Sequence, residues 1–182
     1  ISEINSIKLI DDNPIISIKL ADILIDFTSP QSTLNNVKIA SQNKTAVIIG
    51  TTGMTESQKN KIKNYAKKIP ILMSSNMSLG VNLLFSLVQQ TASALKDIDY
   101  DIEIAETHHK HKKDAPSGTA LSLGEHAAKG RKIQLNKSKV LDRTRKLTNR
   151  KKGDIGFSVT RGGEIAGEHT VSFISENDRV DL

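Results

Sequence analysis

Three short aliphatic runs, each closed by a turn of small polar residues, most constrain what this chain can fold into. Asp22 to Phe27 ends in Thr28-Ser29-Pro30, Thr45 to Ile49 ends in Gly50-Thr51-Thr52-Gly53, and Ile69 to Met73 ends in Ser74 to Met77. Short, continuous runs of Ile, Leu and Val read as buried strands. Between them, Pro30 opens a predicted helix to about Gln42, and Thr55 or Glu56 opens a polar one to about Lys68. Strand, helix, strand, helix, strand predicts a parallel sheet, because parallel neighbours need a crossover that helices supply. Ligands of such sheets bind beyond the carboxyl ends of the strands, where the three polar turns fall. Taken alone, Gly, Ser and Asn in these places are ordinary turn chemistry.

Beyond Asn82 the pattern changes. Ser78 to Leu95 predicts a long helix with Leu79, Leu83, Leu87 and Ala94 on its buried side. Strands are predicted over 101–106, 134–141, 155–161 and 169–175, and Asp178 to Leu182 reads as the start of another. Arg161-Gly162-Gly163 reads as the turn that joins the 155 and 169 strands into a hairpin-like pair. Strands without intervening helices imply a mixed or largely antiparallel open sheet, and self-association is one way to cover such a sheet.

The stretch Glu103 to Ala120, EIAETHHKHKKDAPSGTA, carries the chemistry. His108, His109 and His111 stand beside Lys110, Lys112 and Lys113, and a Pro-Ser-Gly-Thr turn follows. Histidine gives up a proton near neutral pH, whereas the lysines hold a fixed positive charge. Backbone N–H groups of Ser117, Gly118 and Thr119 at a helix start add partial positive charge. The combination predicts a site for a small polyanion on which proton transfer occurs. A solvated basic loop is the plain alternative. A metal site is disfavoured, since His-His-x-His lacks the usual zinc spacing, has no cysteine partner and is surrounded by cations.

This segment closely resembles the signature of the dihydrodipicolinate reductase family. IDFTSP at 25–30, VIIGTTGM at 47–54, SSNMSLGVN at 74–82 and GDIGFSVTRGGEIAGEHTVSF at 153–173 agree in the same order. The resemblance implies an α/β fold: a partial Rossmann-type dinucleotide domain over 1–77, then a substrate-binding and oligomerisation domain over 78–182 with an open mixed sheet. It implies NAD(P)H-dependent reduction of a cyclic dicarboxylate, with His108 as general acid and Lys112 stabilising developing charge. His109, Ser117, Gly118 and Thr119 would hold a substrate carboxylate. Gly50, Thr51 and Thr52, with Ser74, Ser75, Asn76 and Met77, would contact the nicotinamide of NADH or NADPH. Met77 stands where an aromatic is common, replacing ring stacking with a softer thioether contact. A cytoplasmic homotetramer is the implied form.

The chain departs from the family pattern in having no glycine before Gly50, hence no phosphate-binding glycine turn ahead of the strand at 22–27. An incomplete chain is the expectation, with its last helices also missing and its cofactor preference unread. A cofactor-free anion-binding protein and a dehydrogenase for another substrate are the rival readings. Composition narrows the classes further. The absence of cysteine removes disulfides and thiolate chemistry, no apolar run approaches the ~20 residues of a membrane span, and the first residues do not read as a signal peptide. The net charge of +6 concentrates between Lys129 and Lys152, with eleven Lys and Arg against the single acid Asp142. That block has no aromatic residue to stack on a base, so it reads as a solvated, partly mobile connection rather than a nucleic-acid surface.

Overall fold

The computed structural model describes residues 3–4, 7–8, 13–96, 99–144 and 148–182. They fall into two compact units, Ile1–Ser75 and Asn76–Leu182.

In the first unit a short antiparallel pair, β1 (Glu3–Ile4) and β2 (Ile7–Lys8), is followed by helix α1 (Pro14–Leu20). Then β3 (Ile23–Asp26), α2 (Pro30–Asn43), β4 (Ala46–Ile49), α3 (Glu56–Tyr65) and β5 (Ile71–Met73) alternate as predicted. The three strands form a parallel sheet in the order β3-β4-β5. The helix starts are written locally. Ser29 caps α2 with Pro30 in its first turn, and Thr55 with Gln58 forms a capping box on α3. Helix α3 stops three residues short of the predicted Lys68. Val37 and Ala40 of α2, Ile62 of α3 and Val47 and Ile49 of β4 make the core with Ile18, Met54 and Ile69. Each fully buried Val or Ile side chain contributes about 1.5–3 kcal/mol.

The second unit contains α4 (Leu79–Ala94), β6 (Asp101–His108), α5 (Gly118–Gly130), a single turn α6 (Leu135–Ser138), β7 (Lys139–Val140), β8 (Ile155–Arg161), β9 (Glu168–Ile174) and β10 (Arg179–Asp181). Its mixed sheet runs β10-β9-β6-β8-β7. The predicted hairpin does not form. β8 pairs parallel with β6 and β9 pairs antiparallel with it, so β6 lies between them. The six residues from Gly162 to Gly167 are enough to carry the chain across β6, whose buried Ile102 and Ile104 take the central place. The 134–141 strand is also corrected: only Leu135 reaches the core there, one helical turn suffices to bury it, and extended backbone is confined to β7.

Helix α4 turns the other way round from the expectation. Phe85, Val88 and Ala92 are buried against the α5 side, whereas Leu79, Leu83 and Leu87 are 87%, 59% and 40% exposed and Ala94 is exposed. The helix carries apolar residues on more than one stripe, and packing on α5 selects the Phe85 stripe. The basic block is more firmly held than a solvated connection. Arg143 Nη2 lies 2.7 Å from Glu103 Oε1, and Arg150 reaches Asp101, Glu103 and the carbonyls of Ile102 and Asp154. Its residues 145–147 lie outside the described ones. Among the described residues, no helix is long and apolar enough to cross a membrane.

Candidate active site

Strand β6 positions the chemistry of the second unit. Alternation puts Ile102, Ile104, Glu106 and His108 on one buried face, so a strip that begins as core ends as a polar site. The strand runs two residues beyond its predicted end and takes in His108. Register brings Arg161 of β8 opposite His108, and His169 of β9 opposite Glu106. The Ala115–Pro116 bond is cis, and Ser117 then caps α5, its Oγ accepting from Ala120 N–H at 3.1 Å.

Glu106 joins these parts. Its Oε1 accepts from Ser117 N–H and from Arg161 Nη2, both at 2.9 Å. The same guanidinium donates to the Asp114 carbonyl at 2.6 Å. Burial works to raise the Glu106 carboxyl, but Ser117 and Arg161 hold it below the usual carboxylate range. Its Oε2 faces His108 Nδ1 at 3.3 Å and His169 Nε2 at 3.6 Å. His169 Nε2 also lies 3.1 Å from Ser117 Oγ, and the two histidine rings meet edge to face with centroids 5.0 Å apart. Burial lowers the His108 imidazole below its ordinary value, helped by Lys112 and Arg161 and opposed by Glu106 and Asp114. Burial lowers His169 as well, with the charge of His108 next in importance.

The predicted residues divide accordingly. His108, Ser117 and the start of α5 are brought together. Lys112 sits beside them, but its ammonium pairs with Asp114 at 2.8 Å. The Ser117 N–H is taken by Glu106 and the Gly118 N–H by the Asp114 carboxylate, which leaves Thr119 as the helix-start group for an anion. Asn76 donates to Thr119 Oγ1 at 3.2 Å, so a residue assigned to the cofactor touches one assigned to the substrate. His109 lies beside His111, ring centroids 6.2 Å apart, while Lys110 and His111 turn to the exposed Glu164. Glu106, Arg161 and His169 were not singled out from the sequence. Glu106 was within reach, being two residues before His108 on an alternating strand.

Glu106, His108 and His169 could each offer one ligand atom to a metal, all within 4.8 Å of one another. The Arg161 guanidinium against the same carboxylate, with Lys112 nearby, opposes a cation there. We read the three as a proton-holding group.

In the first unit the polar turns stand at the carboxyl ends of β3, β4 and β5. The Phe27 ring, 63% exposed, lies over Gly50 where a Cβ would stand. A Cβ on Gly53, at φ +78°, would meet nothing within 4 Å, so the turn is open on that side. Thr28, Thr33, Thr51 and Asn36 all hydrogen-bond to the buried carboxylate of Asp26. Ligands of parallel sheets bind beyond the carboxyl ends of the strands, where this open turn stands.

These features define a class: an α/β chain in which a helix-covered parallel sheet precedes a mixed-sheet domain with a histidine–carboxylate site at its strand ends. The particular family follows from comparison with known proteins. Family models described as "Dihydrodipicolinate reductase, N-terminus" and "Dihydrodipicolinate reductase, C-terminus" match residues 3–77 and 80–182. The 4-hydroxy-tetrahydrodipicolinate reductase of Zymomonas mobilis is 48% identical over 164 residues, covering 90% of this chain and 64% of that protein. That of Parvibaculum lavamentivorans is 50% identical, covering 91% and 60%. A solved structure described as dipicolinate-bound dihydrodipicolinate reductase, from Paenisporosarcina sp. TG-14, matches with a TM-score of 0.60 at 26% identity, over 92% of this chain and 63% of that one. The chain belongs to the dihydrodipicolinate reductase family. It spans just under two thirds of the length of the first curated relatives it matches, between 64% and 66%.

Proposed function

We propose that the protein is an NAD(P)H-dependent oxidoreductase that reduces hydroxy-tetrahydrodipicolinate to tetrahydrodipicolinate, on the diaminopimelate route to lysine. The observation that carries this reading is His108, a buried imidazole at a strand end beside Lys112 and the start of α5, in a chain of this family. A bound NADH or NADPH supplies the hydride; either cofactor serves, held at Gly50, Thr51, Thr52 and Ser74 to Met77. The substrate loses its hydroxyl as water, and hydride addition to the conjugated ring leaves an electron pair that must take up a proton. His108 delivers that proton. Lys112 stabilises the charge as it develops, which requires its ammonium to turn from Asp114 toward the substrate. Thr119 and His109 hold a carboxylate of the substrate, with Ser117 and Gly118 setting the helix start.

Because His108 is lowered in the free protein, the two negative charges of the substrate serve a second purpose. They favour the imidazolium, so binding prepares the acid. The reading extends to a cytoplasmic homotetramer with no nucleic-acid partner. The test is the reductase assay on the intact gene product with each cofactor. His108→Gln and Lys112→Met should each lower kcat by about 100-fold or more while KM changes little. Near-normal kcat in both folded variants would sink the proposal.

A further inference from the structure

Among the described residues, four buried polar atoms of the site have no hydrogen bond, Glu106 Oε2, His108 Nδ1, Asp114 Oδ2 and Arg161 Nε, and the first two face each other at 3.3 Å. The Glu106 and His108 side chains are more than nine-tenths buried, with 1% and 9% exposed. Two other contacts of the Glu106 carboxylate are accounted for. Glu106 Oε1 holds Ser117 and Arg161, and His169 Nε2 is closer to Ser117 Oγ than to Glu106. A Cβ on residue 167 would lie 2.8 Å from His108 Nε2, so Gly167 leaves room beside the ring nitrogen that faces away from Glu106.

The geometry points to Glu106 as the positioning residue of His108: its Oε2 takes the Nδ1–H, which leaves Nε2 as the nitrogen that carries the proton to the substrate. A carboxylate on one imidazole nitrogen fixes the tautomer and the ring plane and balances the charge of the imidazolium. Arg161 keeps the carboxylate ionised, so the hydrogen bond is always offered. The same carboxylate holds Ser117 N–H, so one side chain sets the acid and the start of the anion-binding helix in register. The groups that face His108 are Glu106 on its own strand, Arg161 on β8, His169 on β9, and Lys112 and Asp114 on the following loop. Only Glu106 and Asp114 favour the cation, and Asp114 is paired with Lys112.

The kinetic part of this inference rests on the proposed reductase reading, while its structural part does not. In the intact gene product with 15N-labelled histidine, neutral His108 should show the Nδ1–H tautomer by NMR. Glu106→Gln should move it toward Nε2–H. Kinetically, Glu106→Gln should lower kcat about 10- to 100-fold with little change in KM. It should also shift the fall of kcat/KM with rising pH to lower pH, because the imidazolium has lost its counter-charge. Glu106→Asp keeps the charge and draws the oxygen back by one methylene, so it should restore the position of that fall while kcat stays reduced. It also serves if the Gln variant does not fold. A wild-type His108 in the Nε2–H form overturns the inference, as does a Glu106→Gln enzyme with unchanged kcat and pH profile. If His108→Gln keeps its kcat, the reductase reading fails, and the tautomer measurement still decides the positioning.

Discussion

Each unit buries one carboxylate near the end of a strand, Asp26 at 1% and Glu106 at 3% exposure, and the two are used differently. Asp26 is surrounded by uncharged donors. Its Oδ1 accepts from Thr28 N–H and from the hydroxyls of Thr28, Thr33 and Thr51, and its Oδ2 from Asn36. Both oxygens are satisfied, and the carboxyl lies below its ordinary value because these hydrogen bonds outweigh burial. Glu106 is satisfied on one oxygen only, partly by the cation Arg161, and turns the other toward two histidines. A saturated carboxylate holds loops in place, here the turns after β3 and β4. A half-saturated one beside an imidazole has an interaction left to give to chemistry.

The contrast breaks first on stability. Asp26→Ala should destabilise the first unit by about 3 kcal/mol, since hydrogen bonds to a charged acceptor contribute about 1.5–3 kcal/mol each and the donors of Thr28, Thr33, Asn36 and Thr51 lose theirs. Glu106→Gln should cost less, because the amide oxygen can still accept from Ser117 and Arg161. Urea unfolding of both variants measures this, and equal losses would erase the distinction. Next in size is Gly167→Ala, which presses on His108 and should lower kcat about tenfold, roughly 1.4 kcal/mol in the barrier. Unchanged turnover would mean the ring is not confined from that side.

Mild acid should separate the units more gently. All five histidines lie in the second unit, and burial lowers His108, His126 and His169 in the folded state. A lowered folded value contributes stability above the unfolded histidine value of about 6.5 and loses it as pH falls through the folded one. Asp26 does the same only below its own ordinary value, near 3.8. Hydrogen exchange, corrected for its intrinsic pH dependence, should therefore show α5 and β6 losing protection between pH 7 and 5 while α2 and β4 keep theirs. Equal loss would assign the acid sensitivity elsewhere. The smallest effect is at Met77, 44% exposed. Met77→Phe should tighten NADH and NADPH binding by less than tenfold, and a larger gain would show that ring stacking matters more than the thioether contact allows.

Local grammar carried β3 to β5 of the first unit, whereas α1 and the β1–β2 pair have no counterpart among the expected elements. Ser29-Pro30 and Thr55 with Gln58 announce their helices, and the aliphatic runs at 23–26 and 46–49 can only be strands of a covered sheet. In the second unit the elements were mostly legible and their pairing was not. Nothing within 155–175 reports that a strand some fifty residues earlier slips between β8 and β9. Helix α4 misled for a related reason: with apolar residues on two stripes, the choice of Phe85 over Leu83 is made by α5. The site divides along the same line. His108, Lys112 and the Ser117 cap sit in one contiguous segment with a recognisable pattern. Arg161 and His169 reach the site through sheet register, which no short motif contains.

The central claim is that His108 is the proton donor, and the pH dependence of kcat/KM tests it most directly. A general acid must be protonated, so the wild-type rate should fall as pH rises, on the acid side of the ordinary histidine value because burial lowers His108 in the free protein. The fall in kcat should lie at higher pH, since the bound dicarboxylate favours the imidazolium. His108→Gln should be slow and without that fall. A His108→Gln enzyme that keeps the wild-type descent at comparable rate would contradict the account.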